Sequence, residues 1–298
     1  MKTTFHTLTS ALVATLVAAA LPAHAAKIGN HHVMPMPDAR EALAAKAQDA
    51  ATAATGQEKY YGGTVFTNVK VVSVMWNKKV STTISSAIPD FSKALVNSTY
   101  IDQMSQYDTN LTAVNGMPGT NQHIGRGTYL GQFVLVPKNT NKTLTDADIQ
   151  AELNYQIAQG KLPANDLNTL YMIYFPSNIK IKLDGSTSCV AFGAYHEATF
   201  SQINPSNVFY SVEPDCGLGL TNITIAASHE FAEAVTDNIP TPGSSPAYPQ
   251  SWNNTTGYEV ADLCSTSGKL SAGSKSWTVT QYYLNTTAAC SKGNYTSP

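Results

Sequence analysis

The chain has 298 residues and a formal net charge of −2, and only 13% of its residues are charged. It carries no basic patch, so the composition argues against a nucleic-acid partner and against binding to an anionic membrane surface. The length is sufficient to bury a full hydrophobic core as one large domain or two small ones.

The first 25 residues have the features of a signal peptide. Lys2 gives a short positive segment, residues 11–21 form an apolar run, and Ala23-His24-Ala25 is a small-x-small cleavage site. The apolar run is too short for a comfortable membrane span, and no later stretch reaches about 18 apolar residues. We therefore expect an exported protein with no membrane span after cleavage, located in the extracellular space or the periplasm.

Residues 26–58 are rich in Ala, Lys, Asp and Gln and show only a weak helical pattern. This composition predicts a flexible linker or a short pro-segment. Residues 59–298 are then expected to form a single domain, with a loop-rich C-terminal subdomain beginning at about residue 239.

Periodicity along the folded part predicts an alternation of strands and helices. Strands are predicted at residues 65–76, 129–136, 170–175, 189–200, 208–212 and 276–283, and helices at 84–96, 100–107, 145–159 and 221–237. Pro89 is expected in the first turn of a shortened helix, and Thr145 is expected to cap the third. The order predicts an α/β (α+β) fold with a mixed β-sheet covered by helices.

The most informative motif is His229-Glu230-Phe231-Ala232-Glu233, in the last predicted helix. The i, i+4 spacing places His229 and Glu233 on one helical face, as two metal ligands require. Glu230 stands where a general base would stand. This is the zincin layout H-E-x-x-H with the second histidine replaced by glutamate, and it predicts a zincin-like core.

A catalytic zinc site needs a third protein ligand and an open position for water. Glu259 and Asp262 form an acidic pair 26 residues after Glu233, three residues apart and so on one face of a turn. His196, on the strand before the motif helix, is the nitrogen alternative that suits zinc better. The sequence does not choose among these three, and it offers Tyr195 or Tyr258 as an oxyanion donor.

Four cysteines in an exported chain predict disulfides rather than a cysteine metal site, because no C-x-x-C is present. Three pairings are open. We favour Cys189–Cys216 and Cys264–Cys290, since each closes a short loop between neighbouring elements, and the second would clamp the C-terminal hairpin.

An ordered set of segments resembles the EXORDIUM-like, phosphate-induced protein family of plants and its secreted bacterial relatives. The segments include Tyr61-Gly62-Gly63, residues 171–176 (YMIYFP), Tyr195-His196, residues 229–237 and residues 259–264. Two departures are Ala194 in place of a glycine and the absence of an Ala-Trp-Tyr-type element after the motif helix. The resemblance implies an extracellular protein linked to cell-wall growth, and it implies no reaction.

The sequence thus supports two functional hypotheses. The first is a secreted, zinc-dependent peptidase-like hydrolase acting on peptide or protein substrates. Its zinc would be bound by His229, Glu233 and one or more of His196, Glu259 and Asp262, with Glu230 as the base. The second is a non-catalytic extracellular protein that contacts cell-wall or matrix components and uses the same residues as a structural metal site or polar core. A calcium module is disfavoured by His229.

Overall fold

The computed structural model describes residues 26–29, 31–36, 57–240 and 246–298. The predicted signal peptide and most of the predicted linker lie outside the described residues. The helices are α1 (Thr82–Val96), α2 (Thr99–Asp102), α3 (Asp146–Ala158) and α4 (Leu220–Thr236), with a 3-10 helix at Gln103–Tyr107.

Seventeen strands are present in the described ranges. They are β1 (Ala26–Ile28), β2 (His31–Pro35), β3 (Lys59–Tyr60), β4 (Asn68–Met75), β5 (Gly125–Val134), β6 (Thr143–Thr145), β7 (Thr169–Phe175), β8 (Lys180–Leu183), β9 (Ser186–Thr187), β10 (Phe192–Ala198), β11 (Phe209–Pro214), β12 (Trp252–Asn253), β13 (Ser267–Ala272), β14 (Lys275–Thr280), β15 (Tyr283–Leu284), β16 (Ala289–Cys290) and β17 (Asn294–Ser297). The mixed α/β class predicted from the sequence is confirmed.

A seven-stranded mixed sheet forms the centre of the fold, in the order β1-β2-β10-β11-β7-β4-β5. The strands β5, β4, β7 and β11 run parallel to one another. At the other side of the sheet, β10 is antiparallel to β11, and β2 is antiparallel to β10. Smaller sheets pair β12 with β3 and β15 with β16, and two three-stranded sheets have the orders β6-β8-β9 and β14-β13-β17.

Side chains alternate across the central sheet and build a core on each face. On β7, Met172 packs in the core that includes residues of α1 and α4, whereas the neighbouring Tyr171 packs in the core that includes residues of α3. Every residue of β7 is buried. A strand buried along its whole length is expected when helices cover both faces of the sheet.

Two local expectations are corrected by the structure. Residues 26–28 and 31–35, predicted as part of a spacer, form β1 and β2 and extend the central sheet. Composition missed them because a two-strand addition of this length carries too little pattern to detect. Pro89 lies inside α1 rather than in its first turn, since the helix begins at Thr82.

The helix α4 is buried on nearly all sides. Ile223, Ala227 and Phe231 pack in the hydrophobic core. The face that carries His229 and Glu233 is also buried, because every residue from Ala226 to Thr236 is shielded from solvent. The polar residues of the second half of this helix therefore lie inside the protein.

The C-terminal strands pack on α4 and are closed by a disulfide. Ser228 accepts a hydrogen bond from the backbone of Thr280 at 2.8 Å, which ties β14 to the helix. The disulfides are Cys189–Cys216 and Cys264–Cys290, as predicted. Two disulfides fit an oxidising compartment outside the cytoplasm. Among the described residues, no helix combines the length and apolar character needed to cross a membrane.

Removing the clamp around the C-terminal hairpin is expected to destabilise the fold. The Cys264–Cys290 bond closes a loop with a sequence separation of 26 residues. A loop of that size corresponds to about 3 to 4 kcal/mol of lost denatured-state entropy. We expect Cys264→Ser/Cys290→Ser to lower the free energy of unfolding in urea by that amount. An unchanged urea midpoint would show that the bond does not constrain the denatured chain.

Candidate metal centre

Three elements bring the six sequence-predicted residues of the site together. The helix α4 carries His229, Glu230 and Glu233, and β10 carries His196. The turn before the second disulfide carries Glu259 and Asp262. None of the six residues is more than 4% exposed. The convergence was expected from the motif, whereas the complete burial was not.

The helix residues and Asp262 form the tightest group. His229 Nε2 lies 3.0 Å from Glu233 Oε1 and 3.4 Å from Asp262 Oδ1. The Asp262 carboxylate also accepts the backbone N–H of Glu259 at 3.1 Å, which orients the Asp262 side chain. Of the three third-ligand candidates, Asp262 is therefore the one that meets both helix residues.

His196 and Glu259 form an adjoining group on the other oxygen of Glu233. His196 Nδ1 is 3.7 Å from Glu233 Oε2, and its Nε2 is 3.6 Å from Glu259 Oε1. The groups His229–Glu233–Asp262 and His196–Glu233–Glu259 each have ligand atoms within 4.8 Å of one another. Glu233 therefore belongs to both.

Two of these spacings are compatible with ligands of a shared metal ion. Two ligands bound tetrahedrally to a metal ion at about 2.0–2.1 Å lie about 3.3–3.4 Å apart. The distances of 3.4 Å from His229 Nε2 to Asp262 Oδ1 and 3.7 Å from His196 Nδ1 to Glu233 Oε2 are near that value. The 3.0 Å between His229 Nε2 and Glu233 Oε1 is also a hydrogen-bond length. Imidazoles and carboxylates are both common ligands of divalent metal ions.

Several buried carboxylate oxygens of the site have no hydrogen-bond partner. They are Glu230 Oε1, Glu233 Oε1 and both oxygens of Glu259. An uncompensated buried charge costs several kcal/mol, so such groups bind a cation or take up a proton. The residues therefore fit a metal ion by their chemistry as well as by their spacing.

Without a metal ion, the pKa values of these carboxyl groups show that burial disfavours their charged forms. Burial raises the pKa of Glu230 to about 8, with His229 opposing and Asp262 adding to the effect. Burial, together with neighbouring carboxylates, also raises the pKa values of Glu233 and Glu259 well above their ordinary range. For Asp262, burial acts in the same direction, but its contact with His229 brings the pKa below its usual value.

His196 is held in one tautomer by a backbone carbonyl. Its Nε2 lies 3.1 Å from the oxygen of Asp237 and donates to it, because a carbonyl can only accept. Burial lowers the pKa of His196 to about 4, so the ring is neutral and its Nδ1 has a free lone pair. That Nδ1 faces Glu230 Oε2 at 3.2 Å. Orientation of a ligand histidine by a carbonyl is the usual outer-shell arrangement at metal sites.

Asp237, which directly follows α4, anchors the chain segment that leads to the turn with the acidic pair. Its carboxylate accepts the backbone N–H of Ser251 at 2.9 Å and the side-chain amide of Asn253 at 2.6 Å. These bonds fix the returning chain against the C-terminal end of α4. Sequence reasoning included Asp237 in the motif but gave it no role.

The two tyrosines proposed as oxyanion donors differ in outcome. Tyr195 lies on the opposite face of the sheet from His196, because neighbouring strand residues alternate, and its hydroxyl donates to Asp146 at 2.7 Å. It is not available to the site, so that prediction is wrong. Tyr258 is half-buried, and burial together with the nearby Asp262 raises its pKa. Its role as an oxyanion donor stays a prediction.

Sequence reasoning missed two residues beside the site. His32, on β2, places Nδ1 3.3 Å from Glu259 Oε2 and is 1% exposed. Glu58 is buried, and burial with the nearby Asp262 and Asp237 raises its pKa well above its ordinary value. Both lie in the stretch assigned to a linker. No local signal marked His32, because its place beside Glu259 depends on the pairing of β2 with β10.

No protein-family model matches this chain, and no curated protein matches it significantly.

Proposed function

We propose that the chain is an exported, zinc-dependent peptidase-like hydrolase with a zincin-like core. The observation that supports this proposal most directly is the set His229–Glu233–Asp262, in which two ligands one helical turn apart meet a third from a separate turn. His196 and Glu259 extend the set on the second oxygen of Glu233. The ordered segments quoted above favour a relationship to the EXORDIUM-like family.

The zincin-like part of the proposal is supported by the position of the motif helix. The helix α4 follows β11 directly and packs on the face of the sheet toward which His196 points. The strand β10 beside β11 is antiparallel to it. An extended peptide adds to a strand at an exposed sheet edge, and β2 pairs with β10 at the position where such a peptide would add.

Glu230 is suited to serve as the general base of the proposed reaction. It adjoins the ligand His229 on α4, and a carboxylate within reach of the attacking water can act as its general base. A zinc ion at this site would lower the pKa of a bound water and polarise the substrate carbonyl. Glu230 would take the proton of the attacking water and deliver it to the leaving amine as the peptide C–N bond breaks. The products are a carboxylate and an amine.

A non-catalytic extracellular protein with a structural metal is the second candidate. One observation favours it: the six residues are fully shielded, whereas a catalytic site keeps one position open to water. In that case the metal would hold α4 to the turn at Glu259, and contact with cell-wall or matrix components would use another surface.

Elemental analysis of the purified protein tests the metal centre. We expect about one zinc or more per native chain and loss of that zinc in His229→Ala, since this change removes the imidazole shared by Glu233 and Asp262. His123→Ala is the matched control, because His123 is an exposed histidine paired with Asp108. Native protein prepared without chelator and free of metal would remove the hydrolase proposal.

A further inference from the structure

The N-terminal strand pair, β1 and β2, lies against the strand that carries His196. Met34 pairs with Ala194 and Pro35 with Phe192 in antiparallel register. Without the pair, β10 would be the edge of the sheet. An exposed edge is where an extended peptide can add by backbone hydrogen bonds. The strand β2 therefore occupies the edge that a peptide substrate of this site would use.

His32 of β2 reaches into the metal centre. With Glu259 and Asp262 it forms a third group of ligand atoms within 4.8 Å of one another. Both ring nitrogens are buried and neither has a hydrogen-bond partner, although Nδ1 lies 3.3 Å from Glu259 Oε2. An imidazole buried only to fill space would lose its hydrogen bonds to water without replacement. If the His32 ring coordinated a cation together with the Glu259 and Asp262 carboxylates, that bond would replace the hydrogen bond lost to water.

One further basic residue of the strand pair matches the acidic character of the site. Lys27 is directly opposite His32 in the register of β1 and β2, and its charge interacts with Glu259 and Asp262. The strand pair thus brings a basic group toward the two carboxylates that His32 meets.

We propose that the N-terminal strand pair is an inhibitory segment of this chain, in which His32 coordinates the metal with Glu259 and Asp262. The strand β2 blocks the substrate edge, and His32 occupies coordination that a catalytic water needs. The inhibitory part of this proposal rests on the proposed hydrolase function. The coordination by His32 stands independently of it.

The coordination is tested on the full chain loaded with zinc, by X-ray absorption at the zinc edge and by competition with a zinc chelator. We expect His32→Ala to lose one imidazole from the coordination shell and to bind zinc at least about tenfold more weakly. Free imidazole should restore the lost scattering by filling the space left by the side chain. His123→Ala is the matched control and should match the native chain in both measurements. An unchanged imidazole count and affinity in His32→Ala would overturn the assignment.

His32→Gln is a second variant that keeps a polar side chain of similar reach, in case the alanine variant folds poorly. It should also lose one imidazole while keeping the native circular dichroism spectrum. A native imidazole count in this variant would also overturn the assignment.

The inhibition is tested by hydrolysis of a mixed peptide library by the same zinc-loaded proteins. We expect His32→Ala to cleave peptides faster than the native chain, at zinc concentrations that saturate both. Equal rates in the two proteins would overturn the inhibitory role. If neither protein cleaves while His32→Ala still loses one imidazole, the inhibitory role of His32 is overturned, the coordination by His32 stands, and the hydrolase proposal is decided by the zinc content of the native chain.

Discussion

Glu230→Gln is expected to lower the rate of peptide hydrolysis by about 10²- to 10⁴-fold, the usual contribution of a general base. Glutamine keeps the shape of the side chain but cannot take a proton from water. The zinc content should stay at the native level, because the ligand groups consist of other residues. The rate should be measured with saturating zinc for Glu230→Gln made in the native chain and in His32→Ala. Both backgrounds are needed because His32 is proposed to occupy the coordination position of the catalytic water.

Glu152→Gln provides the matched control for that experiment. Glu152 is also a buried helical glutamate, but it lies on α3 and accepts the backbone N–H of Lys138 at 3.0 Å, away from the metal centre. Its substitution should leave the rate within twofold of the native rate, a threshold set as an order-of-magnitude criterion for an uninvolved site. Native rates in Glu230→Gln would exclude Glu230 as the base and favour the structural-metal alternative.

Removal of the metal is expected to destabilise the protein more at pH 8 than at pH 5. Without a cation, Glu230 titrates with a pKa of about 8, and Glu233 and Glu259 titrate well above 4.5. The folded chain then binds more protons than the unfolded chain between the unfolded pKa of about 4.5 and these raised values, so its stability falls as pH rises through that window. Near pH 5 the same carboxyls are protonated and tolerate burial.

Thermal unfolding with and without a chelator measures this effect. Without the cation, the negative charge of the buried carboxylates is no longer balanced, and the free energy of unfolding falls by several kcal/mol. This corresponds to a drop in Tm of about 10 °C or more at pH 8. His229→Ala, which should already lack the metal, should show no further shift with chelator. A chelator-treated protein with the native Tm at both pH values would show that no cation balances these charges.

The two proposed functions differ in what these experiments change. A hydrolase requires both the destabilisation by chelator and the loss of rate in Glu230→Gln. A structural metal site requires only the first, and its burial would be permanent rather than a consequence of the N-terminal strand pair. Faster hydrolysis by His32→Ala is therefore the result that would best separate them.

The sequence alone determined the features that depend on neighbours a few residues apart. The i, i+4 spacing gave the shared face of His229 and Glu233, and the Thr145–Asp148 capping box fixed the start of α3. The predicted disulfide pairings also proved correct, because each joins ends of a short loop that neighbouring elements already bring close.

The tertiary structure alone decided which distant groups meet and how deeply they lie. Local patterns are set over two to four residues, so they could not choose between His196, Glu259 and Asp262, whose positions depend on strand pairing and on the turn before Cys264. Tyr195 points away from the site because the other face of β10, which carries His196, is the one that packs on α4. The role of His32 depends on β2 pairing with a strand about 160 residues further along the chain, and such long-range pairing leaves no local signal.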